Sequence, residues 1–223
     1  MIFKPILVGA SLKDRLLGSL GALAGMATTY LLCALLLRDH PLLPLLVAPM
    51  GASAVLVFAV PASPLAQPWP VIGGNVISVL VGVSAARLVP SLPIAVGLAV
   101  GGAIVVMSLL RCLHPPGGAA ALIAVIGGPA VTAAGYEFAL APVGINAVVL
   151  TLVGLLFHRL SGRSYPHRPA ALPVTVPSPD LLHREDIDNA LAEMGETFDI
   201  SPDDLDALLQ RAERHAAQRR RAP

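Results

Sequence analysis

The sequence predicts an all-α membrane protein, a polytopic helix bundle followed by a short water-soluble helical tail. Hydrophobic residues make up 55% of the 223 residues and charged residues only 13%, whereas soluble domains usually carry about 25% charge. Between Asp39 and Arg111 the single charged residue is Arg87. Eleven of the fourteen acidic residues lie between Asp180 and Glu213. We therefore predict a membrane domain at 1–165, a linker at 166–179 and a cytosolic tail at 180–223.

Six apolar runs lie in the membrane domain, and a helix needs about 20 residues to cross the hydrocarbon core. Three runs reach that length comfortably, at 16–37, 92–113 and 138–160. The runs at 42–60 and 71–89 barely reach it. The run at 117–128 reaches it only if Gly-Gly-Pro at 127–129 bends the helix instead of ending it. The sequence therefore allows six crossings, or four crossings with two re-entrant elements.

Basic residues flank both ends of the apolar region and predict its orientation. Three precede the first run and three follow the last, namely Lys4, Lys13, Arg15, Arg159, Arg163 and Arg168. By the positive-inside rule, both termini should be cytoplasmic and the number of crossings even. The start of the chain lacks the pattern of a cleavable signal. The composition, rich in Ala, Leu and Arg, suggests a bacterial inner membrane.

An internal repeat divides the membrane domain into two copies. The sequence PMGASAVLVFA at 49–59 resembles PPGGAAALIAV at 115–125. The preceding runs share a Gly-x-x-x-Gly pair, at Gly21/Gly25 and Gly97/Gly101, which predicts close helix packing. The following runs share an asparagine, Asn75 or Asn146. Three crossings per copy would make an inverted repeat, whereas two would make the copies parallel.

The Pro-Gly sequence that opens the second element of each copy predicts an anion site. Pro115 and Pro116 end the preceding helix and favour the first turn of the next. Gly117 and Gly118 would leave the N–H groups of that turn uncovered, and such helix N-termini attract anions. Pro49, Gly51 and Ser53 form the equivalent helix N-terminus in the first copy. We predict that the two N-termini meet near the middle of the membrane.

Other polar residues complete the candidate substrate site. Arg111 and His114 precede the second Pro-Gly sequence, and no acidic residue lies within a span, which favours an anionic cargo. Arg111 could instead be an interfacial anchor, and His114 could instead cap the carbonyl groups that end the fourth helix. Gln67 could fix its loop or act as a polar gate. Asn75 and Asn146 are expected to form interhelical hydrogen bonds or to line a pore.

The tail predicts two amphipathic helices. The first is expected at about 181–194, with an apolar stripe of Ile187, Leu191 and Met194 and with Gly195 as its C-terminal cap. The second is expected to start with Ser201 as N-cap, Pro202 at the first helical position and Asp204 at the third.

With these residues in view, the chain resembles the HPP family of integral membrane proteins. The resemblance rests on APMGASAVLVFAVPASPLAQPWPVIGGN at 48–75 and RCLHPPGGAAALIAVIGG at 111–128. It implies a transporter-like membrane domain, and plastid relatives imply nitrite as a cargo. The tail is similar to the connector that leads from HPP domains to CBS modules in bacterial fusions.

These observations predict a transporter or facilitator of a small inorganic anion, with nitrite as the best single candidate. The alternatives are a non-transporting membrane anchor linked to a cytosolic regulatory partner, and a membrane-embedded enzyme. No carboxylate pair, HExxH or activated nucleophile supports an enzyme, and no nucleotide-binding loop is present. We predict no cofactor, no metal ion and no nucleic-acid partner. The predicted partners are the lipid bilayer and the anion, and a homo-oligomer is left open.

Overall fold

The computed structural model describes residues 11–38, 44–168, 183–194 and 198–221. The chain divides into two compact units, Met1–Pro166 and His167–Pro223, which are described separately below. Within the described ranges all regular structure is helical.

The first unit is a helix bundle, as predicted. Its helices, in chain order, are α1 (Leu12–Leu36), α2 (Pro49–Ala59), α3 (Asn75–Leu88), α4 (Leu92–Leu109), α5 (Pro115–Ile126), α6 (Pro129–Ala134) and α7 (Ile145–Leu160). Two π-helical turns, Pro70–Gly74 and Ala139–Gly144, run directly into α3 and α7. Four helical segments are long and apolar enough to cross a membrane, namely Leu12–Leu36, Pro70–Leu88, Leu92–Leu109 and Ala139–Leu160. The predicted all-α membrane bundle is therefore confirmed.

Two of the six predicted runs contain a non-helical stretch, and a third, at 138–160, is kinked at Ala141, whose φ of −129° and ψ of 117° are not helical. The run at 42–60 becomes helical only at Pro49, and residues 44–48 form bends and a turn. The run at 92–113 ends as a helix at Leu109, because Arg111 adopts a left-handed conformation with φ 54°. The N–H of Cys112 then bonds the Met107 carbonyl at 2.9 Å, which is the Schellman pattern of a helix C-terminus. Each Pro-initiated helix thus follows a non-helical segment.

The contacts of α1 define the two ends of the bundle. Asp14 at its start forms an ion pair with Arg163, just beyond α7, whereas Cys33 near its end accepts a hydrogen bond from Asn146 in the first turn of α7. Helices α1 and α7 are therefore antiparallel. We call the end that holds Asp14 and Arg163 the proximal end, and the opposite end the distal end.

Helix α2 runs from the distal side to the proximal end. The N–H of Val47, just before α2, bonds Asn146 Oδ1 at 3.0 Å. Near the other end of α2, His158 Nε2 donates to the Val57 carbonyl at 2.8 Å, and Arg15 donates to the Ala59 carbonyl at 3.3 Å. The chain enters this element beside the end of α1 and leaves it beside the start of α1. A re-entrant element would return to the side from which it came.

The second copy runs in the opposite sense. Trp69 Nε1 bonds the Leu110 carbonyl at 3.1 Å, so α4 ends where the helical segment of α3 begins. Helix α5 is parallel to α3, because Gly74 packs on His114 and Gly82 packs on Ala121.

The distal end of α3 meets the start of the α7 segment. There Ser84 and Tyr136 lie within hydrogen-bond distance, at 3.1 Å, and the Arg87 guanidinium lies 4.7 Å from the Tyr136 ring centroid. The six elements therefore alternate in direction. Each copy contains one broken element, and the two copies are inverted.

The shorter elements reach across the bundle only with their non-helical segments. The 11 residues of α2 give about 16 Å at 1.5 Å per residue, against a hydrocarbon core of about 30 Å. The six-crossing arrangement therefore consists of four membrane-length helical segments, one of them kinked at Ala141, and two broken elements.

The two Gly-x-x-x-Gly pairs differ in their surroundings. A Cβ on Gly25 would lie 2.6 Å from the Phe58 ring, and one on Gly21 would lie equally close to that ring. By contrast, Gly97 and Gly101 have no atom of the bundle within 4 Å of a Cβ position. Close packing is thus confirmed for the first pair and is wrong for the second within this chain, because α4 turns those glycines outward.

The second unit contains two helices, α8 (Arg184–Met194) and α9 (Pro202–Arg221). Ile187 is buried and Met194 is 58% exposed, so the predicted stripe of α8 is only partly covered. The predicted start of α9 is confirmed, since the Asp204 N–H bonds Ser201 Oγ at 3.1 Å. Burial raises the pKa of Asp204, but hydrogen bonds from His167 and Ser201 outweigh it and leave the pKa below its usual value. The predicted cap Gly195 and most of the predicted linker lie outside the described residues.

Candidate functional site

Three of the predicted site residues meet in one buried polar cluster. Ser53 Oγ lies 2.8 Å from His114 Nε2, and Asn75 Nδ2 donates to Ser53 Oγ at 3.3 Å. All three side chains have no solvent exposure. They come from three elements: the first turns of α2, the residue before α5, and the residue that follows the π-helical turn Pro70–Gly74. We call Ser53, Asn75 and His114 the polar cluster.

The hydrogen-bond partners fix the direction of donation in the polar cluster when His114 is neutral. His114 Nδ1 lies 2.8 Å from the Leu65 carbonyl, which can only accept, so Nδ1 carries the proton. His114 Nε2 is then an acceptor 2.8 Å from the Ser53 hydroxyl, which also lies 3.2 Å from the Pro49 carbonyl, and Ser53 Oγ in turn accepts from Asn75. The result is a one-way chain from the Asn75 amide to the Leu65 carbonyl. The alternative that His114 caps the end of α4 is wrong, because Leu65 belongs to the 3-10 turn Pro64–Ala66.

Close packing holds His114 in this position. A Cβ on Gly74 would lie 2.6 Å from His114 Cβ and 2.7 Å from the Cys112 carbonyl oxygen. Likewise, a Cβ on Gly117 would lie 2.6 Å from Ser78 Oγ. Both positions require glycine because the start of α5 presses directly on α3. The π-helical turn before Asn75 adds a residue to that helix and helps to aim the amide at Ser53.

The two broken helices overlap at their N-terminal turns. Ser53 lies one turn into α2 and touches the residue that precedes α5, and the two helices run in opposite directions. However, several N–H groups of these turns already have partners. Met50 N–H bonds the Val47 carbonyl at 3.0 Å, Gly51 N–H bonds the Ala48 carbonyl at 3.0 Å, and Gly117 N–H bonds the His114 carbonyl at 2.8 Å. These N-termini are therefore partly capped by their own chain.

The polar cluster has one acceptor to spare. Asn75 Nδ2 is bonded to Ser53 and, at 2.8 Å, to the Val71 carbonyl, whereas Asn75 Oδ1 is buried and has no hydrogen-bond partner among the described residues. Its repeat counterpart Asn146 differs. Asn146 Oδ1 accepts from Val47 N–H, and its Nδ2 donates to the Leu45 carbonyl at 3.0 Å. The predicted interhelical hydrogen bonds are confirmed for both asparagines, but only Asn75 keeps an unpaired atom.

Arg111 lies apart from the polar cluster, on the proximal surface. It lines an open cleft of about 320 Å³ together with Pro64, Leu65, Pro70, Ser108 and Leu113. Leu65 connects the cleft with the polar cluster, because the residue lines the cleft and its backbone carbonyl accepts a hydrogen bond from His114. A left-handed conformation at a helix C-terminus usually belongs to glycine, so an arginine there carries a conformational cost of about 1–2 kcal/mol.

The remaining predicted residues have structural contacts. Gln67 Nε2 donates to the Pro61 carbonyl at 3.0 Å and to the Ser63 carbonyl at 2.8 Å, so it fixes its loop. Pro49 supplies a carbonyl 3.2 Å from Ser53 Oγ. Pro115 and Pro116 form the first turn of α5. Gly51 has no atom within 4 Å of a Cβ position, and Gly118 has only Val100, at 3.8 Å.

The sequence does not predict three of the residues that shape the polar cluster. Leu65 acts through its backbone carbonyl, so its side chain carries no signal. Gly74 and Ser78 lie four residues apart on one face of a helix, and the Gly-Gly pair at 73–74 is the one pattern that could have indicated a close approach.

Fold and cluster together define a polytopic membrane protein with two inverted copies and a buried polar centre. Residues 8–166 match the family described as HPP, transmembrane region, and the chain belongs to that family. It is 38% identical over 126 residues to a transmembrane protein of Dictyostelium discoideum, an alignment that covers 54% of this chain and 44% of that one. A second transmembrane protein of the same organism is 36% identical over 126 residues, covering 54% and 40%. The match thus spans less than half the length of these relatives. No solved structure matches the chain significantly.

Proposed function

We propose that this protein is a membrane transporter or facilitator of a small inorganic anion, with nitrite as the first candidate cargo. The observation that carries the proposal is the meeting of two broken helices, one from each inverted copy, at a buried polar cluster. Inverted copies that present broken helices to one central place are a common plan of secondary transporters. The polar cluster also leaves Asn75 Oδ1 buried without a partner among the described residues, a cost that the packing of an anchor would not explain.

Arg111 supports an anionic cargo. The cleft that it lines reaches Leu65, whose carbonyl bonds His114, so an anion attracted to the cleft would be next to the polar cluster. The arginine occupies a backbone conformation that glycine adopts without strain. The backbone alone would favour glycine at position 111, so a role of the arginine side chain would explain why arginine stands there. The resemblance to plastid relatives associated with nitrite adds the candidate cargo. We also propose that the membrane is a bacterial inner membrane and that the proximal end, which holds Lys13, Arg15, Arg159 and Arg163, faces the cytoplasm.

The test is uptake by proteoliposomes that hold the purified full chain. The uptake of nitrite, formate, nitrate and chloride is measured in these proteoliposomes and in empty liposomes. Saturable nitrite entry is expected only in the proteoliposomes. Arg111→Gly is the matched variant, because it removes the side chain while relieving the backbone. It should fold at least as well and should raise the nitrite concentration needed for half-maximal flux. His114→Ala should lower the maximal flux by removing the middle of the hydrogen-bond chain.

Two results would contradict the proposal. Uptake equal to that of empty liposomes for every solute would favour the alternative of a non-transporting membrane anchor linked to a cytosolic regulatory partner. Flux that Arg111→Gly leaves unchanged would contradict the part of the proposal that assigns the Arg111 cleft to the anion.

A further inference from the structure

The unpaired atoms inside the bundle point to the form in which the cargo crosses. Two buried side-chain atoms of the described bundle lack a hydrogen-bond partner, Asn75 Oδ1 and His158 Nδ1. Because His158 Nε2 donates to the Val57 carbonyl, its Nδ1 is the unprotonated nitrogen of a neutral ring. Both atoms are therefore acceptors. The interior therefore offers hydrogen-bond acceptors, to which a solute would have to donate.

The donors around the polar cluster are already engaged. Asn75 Nδ2 serves Ser53 and Val71, the Ser53 hydroxyl serves His114, and His114 Nδ1 serves Leu65. A bare anion needs several donors to replace its water, and none of the side-chain donors of the polar cluster is left for it. A solute that carries its own proton can donate to Asn75 Oδ1 without breaking any of these bonds.

The charges of the bundle agree with this argument. Its arginines in the described ranges are exposed or half-exposed, and none of them is buried. Moving an isolated ion from water into such an interior would cost tens of kcal/mol in the limiting case, and ionisable groups usually neutralise instead. Arg111 lines the cleft and not the polar cluster.

We infer that the polar cluster takes a small weak acid in its protonated, neutral form, with Asn75 Oδ1 accepting the hydrogen bond of the acid's O–H. This rests on the transport proposed above and refines its cargo to acids such as nitrous or formic acid. The anion gathers at the Arg111 cleft and takes a proton from a hydronium ion of the external solution, which becomes water. The neutral acid crosses and releases that proton on the other side. One anion and one proton move together, and no net charge crosses the membrane.

The test uses wild-type proteoliposomes with a pH-sensitive dye inside. We expect nitrite and formate to enter saturably and to acidify the lumen, whereas nitrate and chloride, which stay ionised, do not enter. Below saturation the initial rate should rise about tenfold for each unit by which the external pH is lowered, because the concentration of the acid form rises by that factor. An imposed membrane potential should not change the rate.

Variants then assign the acceptor. Asn75→Leu keeps the size of the side chain but removes Oδ1, and it should abolish the saturable component while leaving the leak seen in empty liposomes. Thr151→Val is the matched control. It removes a buried hydroxyl that bonds only the Ala147 carbonyl of its own helix, so flux should be unchanged.

The outcomes separate this inference from the proposed function. Nitrite entry that follows the membrane potential without acidification, or nitrate entry at a similar rate, would overturn the inference and leave an anion transporter. Acid entry that Asn75→Leu does not alter, in a variant that elutes as folded protein, would also overturn it. No flux of any solute would overturn both.

Discussion

The two Gly-x-x-x-Gly pairs provide a direct test of the packing, because equivalent positions of the repeat have opposite surroundings. In Gly25→Ala the new Cβ would lie 2.6 Å from two atoms of the Phe58 ring and 3.2 Å from Leu150 Cδ1. Phe58 is completely buried, so its ring has no free space into which it can move. In Gly101→Ala the new Cβ meets nothing within 4 Å.

The expected difference follows from two contributions. Replacing glycine by alanine within a helix stabilises it by about 0.5–1 kcal/mol, and this gain is common to both variants. Overpacking a buried contact costs about 1–3 kcal/mol, and only Gly25→Ala carries this cost. The two variants should therefore differ by about 1–3 kcal/mol in stability. For a chain of this size that corresponds to about 2–12 °C in Tm.

The assay is thermal unfolding in detergent, followed by the fraction of the protein that still elutes as a single species after heating. Gly101→Ala should match or slightly exceed the wild type, and Gly25→Ala should fall below it. Equal Tm values for the two variants, or a lower value for Gly101→Ala, would refute the packing of α1 on α2 described here.

Four further predictions test other parts of the structure. Asn146→Leu should destabilise the bundle by a few kcal/mol, because it leaves buried backbone groups before α2 unpaired at about 1–3 kcal/mol each; thermal unfolding would measure this, and an unchanged Tm would contradict it. In sealed vesicles, an impermeant maleimide should label Arg111→Cys from the same side of the membrane as a tag at the start of α1, and Arg87→Cys from the opposite side. The reverse pattern would support four crossings. Ser201→Ala should weaken the start of α9 by about 1 kcal/mol, seen as faster amide exchange in its first turn. Because the pKa of Asp204 is lowered in the folded state, the stabilisation it provides should be complete above its unfolded pKa and should be lost as the pH falls through the lower, folded value.

Most of the fold follows from residue patterns in the sequence. The apolar runs and prolines place the helices to within a few residues, and the start of α9 follows from Ser201 and Asp204. The break before α2 is harder to predict, because residues 44–48 are as apolar as a helix. Hydropathy measures only the preference for lipid, whereas the break is stabilised by Asn146, which bonds the backbone of that segment from a distance of about a hundred residues along the chain.

The candidate site follows from the sequence only in part. The residue types of Ser53, Asn75 and His114 and their positions in the repeat single them out, but the outward position of Arg111 depends on its left-handed backbone. The partner of His114 is a backbone carbonyl, which any residue at position 65 would supply. Sequence patterns therefore identify side chains, while the choice among their partners depends on tertiary packing.

The asymmetry between the copies bears directly on the proposed function. Each copy places an asparagine after a π-helical turn. Asn75 hydrogen-bonds Ser53 in the broken element α2, and Asn146 hydrogen-bonds the backbone just before α2. In the second copy Asn146 is fully bonded and stabilises the non-helical segment before α2. In the first copy Asn75 faces Ser53 and His114, and the residue equivalent to His114 in the repeat is Ala48, which has no polar side chain. The two copies therefore supply one asparagine that stabilises the fold and one with an unpaired acceptor, so the transport proposed above would use one central polar cluster instead of two equivalent ones.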